Sequence, residues 1–508
     1  MRDYEFGNHL AELRKSHGYS QFQLGTLVGV TDKAVSKWEN GAAKPRIAVI
    51  MKLAAILGVE MDDLLKEAHD QYPQDREKLS ILKKQIWAKA ENKMKELYGN
   101  APHLTIRNRL LMEKNALGSS DAIVLLDTLS ELASLAKEEG SYLPVRNLVN
   151  CFFTAWLIGA TDINPLPAHY YCPKCHKTVF IDDSNCGWEL PEKQCDCCGN
   201  RMMKDGHNLP FEISVCGAEE PLLSVVCNAK DCLVDAAWDK VLEKLTPYYS
   251  FKRHSVKTLS ERGEGQATVI FLSQSVADKE MQTLDSIPEI DEETYWSYIG
   301  SDIPSFSIIP SNKITRLVPG EDHSQLIEKL LQPKMLTSAF KAFLDERKQT
   351  DKVLASIDNT LKEEEQYTPQ IKEISSFGQL VEIMCAINGS FSTPDLEALA
   401  ATIGVNDYTE LPFSREDVWF LIHKCSDHPE QISGIASEIV YKIRRGSYNK
   451  TLTDDDRTLF QQLNLPEWFS DYARNVHYLF PKCSFVAGAY QLLLDHSHES
   501  KDAHQKMN

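Results

Sequence analysis

Residues 20–41 read SQFQLGTLVGVTDKAVSKWENG, and this stretch decides the fold of the N-terminal part of the chain. Ser20 followed three residues later by Gln23 is a capping box, which predicts that a helix begins here. Gly29 permits a tight turn because it lacks a Cβ atom, and Thr31 is a good N-cap for the next helix. The pattern therefore predicts two short helices that cross steeply.

Further helices are expected on both sides of this pair. Apolar residues at helical spacing predict one helix before Gly18 and others after Pro45 and after Gly58. The 3.6-residue period turns Trp38 of the third helix inward, which leaves the opposite face of that helix free to contact a ligand. The sequence therefore predicts a five-helix domain over residues 1–66.

This arrangement resembles the Cro/C1-type (Xre-type) helix-turn-helix domain of phage repressors and bacterial regulators. The likeness is carried by Ser20-Gln21, the run from Val35 to Gly41, Pro45 and the Leu-Gly-Val that ends at Val59. It implies that helix three lies in the major groove of duplex DNA, with Asp32, Lys33, Ser36 and Lys37 near base edges. It also implies that Gln21 touches the DNA backbone or orients helix three, and that Lys44 and Arg46 meet phosphates. The residues expected at the DNA are Gln21, Thr31, Asp32, Lys33, Ser36, Lys37, Lys44 and Arg46.

Charge is unevenly divided along the 508 residues. The whole chain has a formal net charge of −18, whereas residues 1–66 hold nine Lys and Arg against eight Asp and Glu and are near +1, which leaves about −19 for the rest. Phosphate repels so acidic a body, so the affinity for DNA must come from the small N-terminal segment. Because one copy of that segment carries little positive charge, we expect a homodimer on two half-sites.

Six of the 13 cysteines lie within residues 172–198. Four of them form two CxxC pairs, whose thiolates can converge on one tetrahedral ion, whereas Cys186 and Cys197 are left over and Cys197 should point away. The spacing predicts a zinc ribbon over residues 170–205, with buried free thiols as the alternative. The zinc should be structural because four protein ligands leave no open coordination position. The expected ligands are Cys172, Cys175, Cys195 and Cys198.

Segments on both sides of these cysteines resemble the PolC-type alpha subunit of DNA polymerase III. The similar segments occur in the same order as in that family, from about residue 85 to about residue 490. The resemblance is clear near residues 85–272 and 375–490. The segments that carry it are Glu96-Leu-Tyr-Gly99, Asn164-Pro-Leu-Pro-Ala-His169, Leu190-Pro-Glu-Lys-Gln-Cys195, Lys204-Asp-Gly-His-Asn-Leu-Pro-Phe-Glu212, Lys442-Ile-Arg-Arg-Gly446, Leu465-Pro-Glu-Trp468 and His477-Tyr-Leu-Phe-Pro-Lys482.

The chain departs from that family where carboxylates of the palm would hold the two divalent ions of nucleotidyl transfer. The family's Pro-Asp-Ile-Asp corresponds to Pro221-Leu222-Leu223-Ser224, and Ser307 takes the place of its third carboxylate. The family's Gly- and Ser-rich nucleotide loop corresponds to residues 143–150, where only Arg146 is kept. These departures predict a catalytically inactive polymerase-like body, and we expect the chain not to be an enzyme.

The fold class expected is mainly α with an α+β portion. Beyond residue 66, the sequence predicts a polar linker over 67–80, a palm-like region with the ribbon over 81–320, a charged helical connection over 321–375, a fingers-like helical region over 376–495 and a tail over 496–508. Segments such as Ile213-Ser-Val and Ala267-Thr-Val-Ile-Phe-Leu favour strands.

The function expected is sequence-specific binding of double-stranded DNA in transcription regulation, with the polymerase-like body binding a protein or a ligand. One alternative is an interaction protein that mimics the polymerase and competes for its replication partners, and a less favoured one is an active nucleotidyl transferase. No apolar stretch is long enough to cross a membrane and no secretory signal is visible. We therefore expect a cytoplasmic, nucleoid-associated bacterial protein.

Overall fold

The computed structural model describes most of the chain, and all structural statements below refer to that part. The described residues are 4–28, 30–40, 43, 45, 47–57, 73–117, 122–182, 184–214, 224–248, 250–260, 263–273, 289–291, 305–311, 323–357, 373–388, 390–391, 396–405, 410–428, 432–444 and 446–506.

Four described helices build the N-terminal segment: α1 (Tyr4–Ser16), α2 (Gln21–Val28), α3 (Asp32–Glu39) and α4 (Ile47–Ile56). The expected capping box is present, because Ser20 N donates to Gln23 Oε1 over 2.8 Å and Gln23 N donates to Ser20 Oγ over 3.1 Å. Thr31 Oγ1 caps α3 by accepting from Ala34 N. The expected fifth helix, near Leu64 and Leu65, lies outside the described residues.

Two glycines allow these helices to approach closely. A Cβ atom on Gly25 of α2 would lie 2.9 Å from the carbonyl oxygen of Val30, and one on Gly7 of α1 would lie 2.3 Å from that of Glu39. Side chains larger than hydrogen would therefore separate α1 from α3 and open the turn between α2 and α3. Gly29, on which the sequence-based argument rested, is not among the described residues.

The body contains the remaining helices and all the strands. The helices are α5 (Pro73–Tyr98), α6 (Leu104–Leu117), α7 (Ala122–Glu138), α8 (Phe153–Leu157), α9 (Phe211–Ser214), α10 (Val234–Leu245), α11 (His323–Leu330), α12 (Pro333–Ile357), α13 (Phe377–Asn388), α14 (Leu396–Ile403), α15 (Arg415–Cys425), α16 (Ser433–Arg444), α17 (Ser447–Lys450), α18 (Asp454–Gln462), α19 (Phe469–Asn475) and α20 (Lys482–Lys506). The strands are β1 (Val145–Arg146), β2 (His169–Tyr171), β3 (Thr178–Phe180), β4 (Met203–Asp205), β5 (Ser224–Lys230), β6 (Ser250–Ser260), β7 (Gly263–Ser273), β8 (Glu289–Asp291), β9 (Ser305–Ser311), β10 (Ser390–Phe391) and β11 (Val476–Tyr478).

A mixed sheet with the strand order β1-β5-β9-β7-β6-β8 forms the centre of the first half of the body. Strands β5 and β9 are parallel neighbours, whereas β6 and β7 form a long antiparallel hairpin. Successive side chains of a strand point to opposite faces. One face of the sheet is buried in a core shared with α5 to α8 and α10, to which β5 and β9 contribute Val225, Cys227, Phe306 and Ile308. The expected mainly α fold with an α+β portion is confirmed.

A second core holds the helices of the C-terminal half together. It contains buried residues of α11 to α20, and it also includes Cys186 and Trp188 from the cysteine-rich region. The first part of the charged connection expected over 321–375 therefore packs into the body, since Leu330, Leu336 and Phe340 are buried there.

Three local expectations differ from the structure. Residues 73–80, expected as linker, begin helix α5, because Pro73 suits the first helical position and good helix formers follow it. Helix α20 continues through most of the expected tail, to Lys506. Ile213 lies in the helix α9 rather than in a strand, because Phe211 at its start packs edge-on against Phe152 and fixes a local turn.

Candidate DNA interface and metal centre

The outer face of α3 carries the side chains expected to meet DNA. Thr31, Asp32, Lys33 and Lys37 are exposed, and Ser36 is half-buried with its Oγ 3.3 Å from Asn40 Nδ2. No described part of the body covers this face. Lys44 and Arg46 lie outside the residues whose placement is described. The structure therefore brings five of the eight expected residues to one accessible helix face.

Glu39 of α3 is the centre of a buried ionic network that joins α3 to the first two helices. Arg14 of α1 donates to both carboxylate oxygens, over 2.5 Å from Nε and 2.9 Å from Nη2, and its Nη1 donates to Tyr19 O. Gln21 Nε2 donates to Glu39 Oε2 over 2.7 Å. The hydrogen bonds with Glu39 raise the pKa of Arg14, so Arg14 stays protonated. Gln21 thus contacts α3 directly and helps to fix its orientation.

The two CxxC pairs meet beside the three-stranded sheet formed by β3, β2 and β4, in the turns that connect to its strands. The Sγ atoms of Cys172 and Cys198 are 3.4 Å apart, as are those of Cys175 and Cys195, and all four Sγ atoms lie within 4.8 Å of one another. Tetrahedral thiolate coordination of one ion needs this clustering. The leftover Cys197 is exposed.

Each CxxC pair sits on the same kind of turn. His176 N donates to Cys172 O and Gly199 N donates to Cys195 O, and the backbone of both His176 (φ 60°) and Gly199 (φ 69°) is left-handed. Glycine adopts this conformation without strain, whereas His176 requires support. Its Nδ1 lies 3.1 Å from Leu97 O. Glycine directly after Cys198 is a residue that suits such a turn, whereas nothing in the sequence marks the matching role of His176.

The surroundings favour thiolates at two of the four cysteines. Burial opposes ionisation of Cys172, but amide donors from Cys175 and Lys174 and the neighbouring thiols outweigh it and lower the pKa of Cys172 to about 6. The pKa of Cys195 is lowered in a similar way, again against burial. Hydrogen bonds with the neighbouring thiols raise the pKa of Cys175, to about 12, and that of Cys198 is also raised. The clustering of the four Sγ atoms is therefore the feature that fits a thiolate-binding ion such as Zn²⁺.

Several sequence segments that resemble PolC-type polymerases converge beside this sheet. Tyr98 Oη lies 3.0 Å from His169 Nε2, and Asn164 Nδ2 donates to Asp205 Oδ2 over 3.0 Å. Gly99 follows Tyr98 with a φ of 79°, and a Cβ atom there would lie 2.9 Å from His176 Cβ. These segments therefore share one buried polar network that fixes the cysteine-rich sheet against α5.

The palm-like positions lie on adjacent parallel strands. In the register of β5 and β9, Ser224 is opposite Ser305 and Val226 is opposite Ser307, so Ser224 and Ser307 belong to the same face. Ser307 Oγ is buried and has no hydrogen-bond partner among the described residues. Leu222 is not among the described residues. Arg146 lies on β1, and its Nε donates to Asn228 Oδ1 over 3.0 Å.

Comparison with known proteins agrees with both parts of the chain. The helix-turn-helix family model HTH_3 matches residues 10–64, which supports DNA binding by this segment. The body is similar to proteins named DNA polymerase III PolC-type. The relative from Thermotoga petrophila is 24% identical over 77% of this chain and 32% of that protein, and the one from Clostridium perfringens is 24% identical over 78% and 30%. The relative from Caldanaerobacter subterraneus is 36% identical over 24% of this chain and 9% of that protein. The chain spans about a third of the length of the first of these.

The expectation that the chain is not an enzyme is wrong as it stands. The relatives that match most of the body are named as polymerases, which points toward a polymerase rather than away from one. The replacement of carboxylates by Leu222, Ser224 and Ser307 therefore does not establish a loss of activity. An identity of 24% does not establish activity either.

No helix in the described ranges combines the length and the apolar character that a bilayer crossing requires.

Proposed function

We propose that the chain is a sequence-specific DNA-binding regulator in which α3 reads base edges in the major groove of duplex DNA. The observation that carries this proposal is the exposed face of Lys33 and Lys37 on a helix whose opposite side is held by the buried pair Arg14–Glu39. A rigid helix presenting long polar side chains suits direct readout, because each side chain must meet a base edge within hydrogen-bonding distance.

The active form in this proposal is a dimer on two half-sites about one helical turn of DNA apart. The N-terminal segment is near neutral and the remainder is strongly acidic, so one copy has few cations with which to displace counterions from phosphate. Two copies on a pseudopalindromic site double that number. The acidic body is suited to binding a protein or a ligand rather than to following the DNA, and replication proteins are the partners that its likeness suggests.

The test selects bound fragments from genomic DNA with the full-length chain and then measures affinity for the recovered site. Lys33→Ala and Lys37→Ala should each weaken specific binding by about 1–3 kcal/mol and relax base preference at one position of each half-site. Lys15→Ala is the matched control, because Lys15 is an exposed lysine of α1. Recovery of no preferred sequence, or an equal effect of all three substitutions, would contradict readout by α3.

We also propose that the four clustered cysteines bind a structural zinc ion. The Sγ clustering and the paired turns support it, and all four coordination positions would be filled by protein. The ion would stabilise a segment whose own apolar core is small. Its role would be to hold the sheet of β2, β3 and β4 in the shape that the rest of the body packs against.

The likeness to polymerases favours nucleotidyl transfer as a second candidate function of the body. The purified full-length chain would be incubated with a primed template, deoxynucleotides and Mg²⁺, and primer length would be followed. Extension that persists in the Lys33→Ala/Lys37→Ala double variant would assign synthesis to the body. Absence of extension, together with replication proteins that co-purify even after deletion of residues 1–66, would support a body that acts by protein binding.

A further inference from the structure

Three potential metal ligands from separate parts of the body meet in its interior, apart from the cysteine ribbon. Cys151 ends the short 3-10 helix Asn147–Cys151, Glu416 lies in the first turn of α15, and Cys483 lies in the first turn of α20. All three residues are 0% exposed, and their ligand atoms lie within 4.8 Å of one another. Two thiols and a carboxylate are thus gathered where water is excluded.

The carboxylate of Glu416 is only half satisfied. Its Oε2 accepts from Lys482 N over 2.7 Å, but its Oε1 is buried and has no hydrogen-bond partner among the described residues. A buried acceptor is normally paired, and one that is not calls for an explanation such as an ion. A cation placed between Oε1 and the two Sγ atoms would supply the missing partner.

Burial raises the pKa of both Glu416, to about 7, and Cys483, and two features of the surroundings partly offset this. Glu416 and Cys483 lie in the first turns of helices of 11 and 25 residues, where the helix dipole is positive. The buried Arg415 guanidinium also acts on both of them. Two thiolates and one carboxylate with a divalent ion carry a net charge of −1, which the charge of Arg415 balances. Its guanidinium donates to Leu479 O and Tyr478 Oη, and no carboxylate among the described residues forms a salt bridge with it.

We propose that Cys151, Glu416 and Cys483 bind a second Zn²⁺ ion, distinct from that of the ribbon. Thiolates select zinc over Mg²⁺ or Ca²⁺, whose ligands are almost all oxygen atoms. The ion ties the segment next to β1 to the N-terminal ends of α15 and α20. Three protein ligands leave one coordination position for a further group.

Metal content of the full-length chain tests this site. The protein would be purified under reducing conditions and its zinc counted by mass spectrometry of the intact, folded chain. We expect two zinc ions in the unmodified chain, one in Cys483→Ser and one in Cys195→Ser, which lacks a ribbon ligand. Cys385→Ser is the control, because Cys385 is equally buried but is not part of the cluster, and it should keep both ions. One ion in the unmodified chain that only Cys195→Ser removes would overturn the proposal.

Glu416→Gln keeps the test decisive if Cys483→Ser does not fold. The amide preserves the shape and the acceptor for Lys482 N but removes the negative charge, so the second ion should dissociate at least tenfold more readily in competition with a chelator. An unchanged zinc affinity in a folded Glu416→Gln chain would count against Glu416 as a ligand. A Cys151–Cys483 disulfide that persists in peptides of the chain purified under reducing conditions would also overturn the proposal, since a disulfide leaves no thiolates to bind the ion.

Discussion

Glu39 shows how one side chain links stability to the DNA-binding surface. It follows Val35 by four residues, so the helical period turns it toward the interior, and its side chain is 7% exposed beside an Arg14 side chain that is 10% exposed. A charge on an otherwise apolar stripe was the signal in the sequence that could have revealed this pair. Because the pair is desolvated, removing one partner leaves the other charge buried without compensation.

Glu39→Ala should destabilise the N-terminal segment by about 3–5 kcal/mol, the usual cost of stranding one member of a buried ion pair. The measurement is hydrogen exchange of the backbone amides of residues 4–57 in the full-length chain, together with affinity for the selected DNA site. Both protection and affinity should fall. Lys37→Ala, on the exposed face, should lower affinity alone, and equal protection in the two variants would refute the structural role of Glu39.

His207 makes the stability of the body depend on pH. Burial lowers its pKa from 6.5 to about 4, although Asp205 acts in the opposite direction. Between pH 4 and pH 6.5 the unfolded chain binds a proton at His207 that the folded chain does not. The free energy of unfolding is therefore highest with respect to His207 above pH 6.5 and decreases as the pH falls toward 4. The full loss amounts to about 3 kcal/mol.

His207→Phe should remove this pH dependence, because a phenyl ring can occupy the space beside Trp188 and Phe377 without titrating. Relative to the unmodified chain, the free energy of unfolding of the variant should rise by about 2 kcal/mol between pH 7 and pH 5. Urea unfolding at pH 5, 6 and 7 provides the measurement. Parallel pH profiles of the two proteins would show that the pKa of His207 does not change on folding.

At the scale of elements, short-range patterns were predictable and long-range contacts were not. The caps of α2 and α3 and the CxxC turns follow from residues three or four positions apart, and the sequence predicted them correctly. Strand β6, whose run SFKRHSVKTLS contains few apolar residues, was missed because pairing with β7 rather than its own composition makes it a strand. The network around Asp205 was missed because its members are distant in sequence.

The ribbon element allows a matched test of the structural zinc ion. Cys195→Ser should lose one zinc ion per chain and expose the amides of residues 169–205 to hydrogen exchange, because the sheet of β2, β3 and β4 has little apolar core of its own. Cys197→Ser, two positions along and exposed, should keep the ion and the protection. Loss of zinc from Cys197→Ser, or none from Cys195→Ser, would show that the ligands are assigned wrongly.

At the scale of the whole molecule, the segment between the two CxxC pairs joins the sheet-containing half to the C-terminal helices. Trp188 Nε1 donates to Asp205 Oδ1 over 3.0 Å, and its ring packs against those of Phe377 and Tyr490. A Cβ atom on Gly187 would overlap Asp205 O, at 1.8 Å. The cysteine-rich region is therefore built into the body, and a distortion of the ribbon should reach α13 and α20.

Glu189 is the point at which this coupling can be measured. Its carboxylate accepts from the backbone amides of Phe377 and Gly378 and so caps α13, although 188 residues separate it from Phe377 in the chain. Glu189→Ala should cost about 0.5–2 kcal/mol, the range found for lost N-terminal caps. Hydrogen exchange should then rise in α13, not only near residue 189.

The matched control is Glu192→Ala, three residues further along. Glu192 is about half exposed and pairs with Arg201 and Lys204, an arrangement that contributes at most about 1 kcal/mol because water and salt screen it. Its removal should leave exchange in α13 unchanged. A specific cap on α13 predicts that hydrogen exchange in α13 increases only in Glu189→Ala. An equal increase in Glu192→Ala would instead show that α13 depends on the general stability of the ribbon.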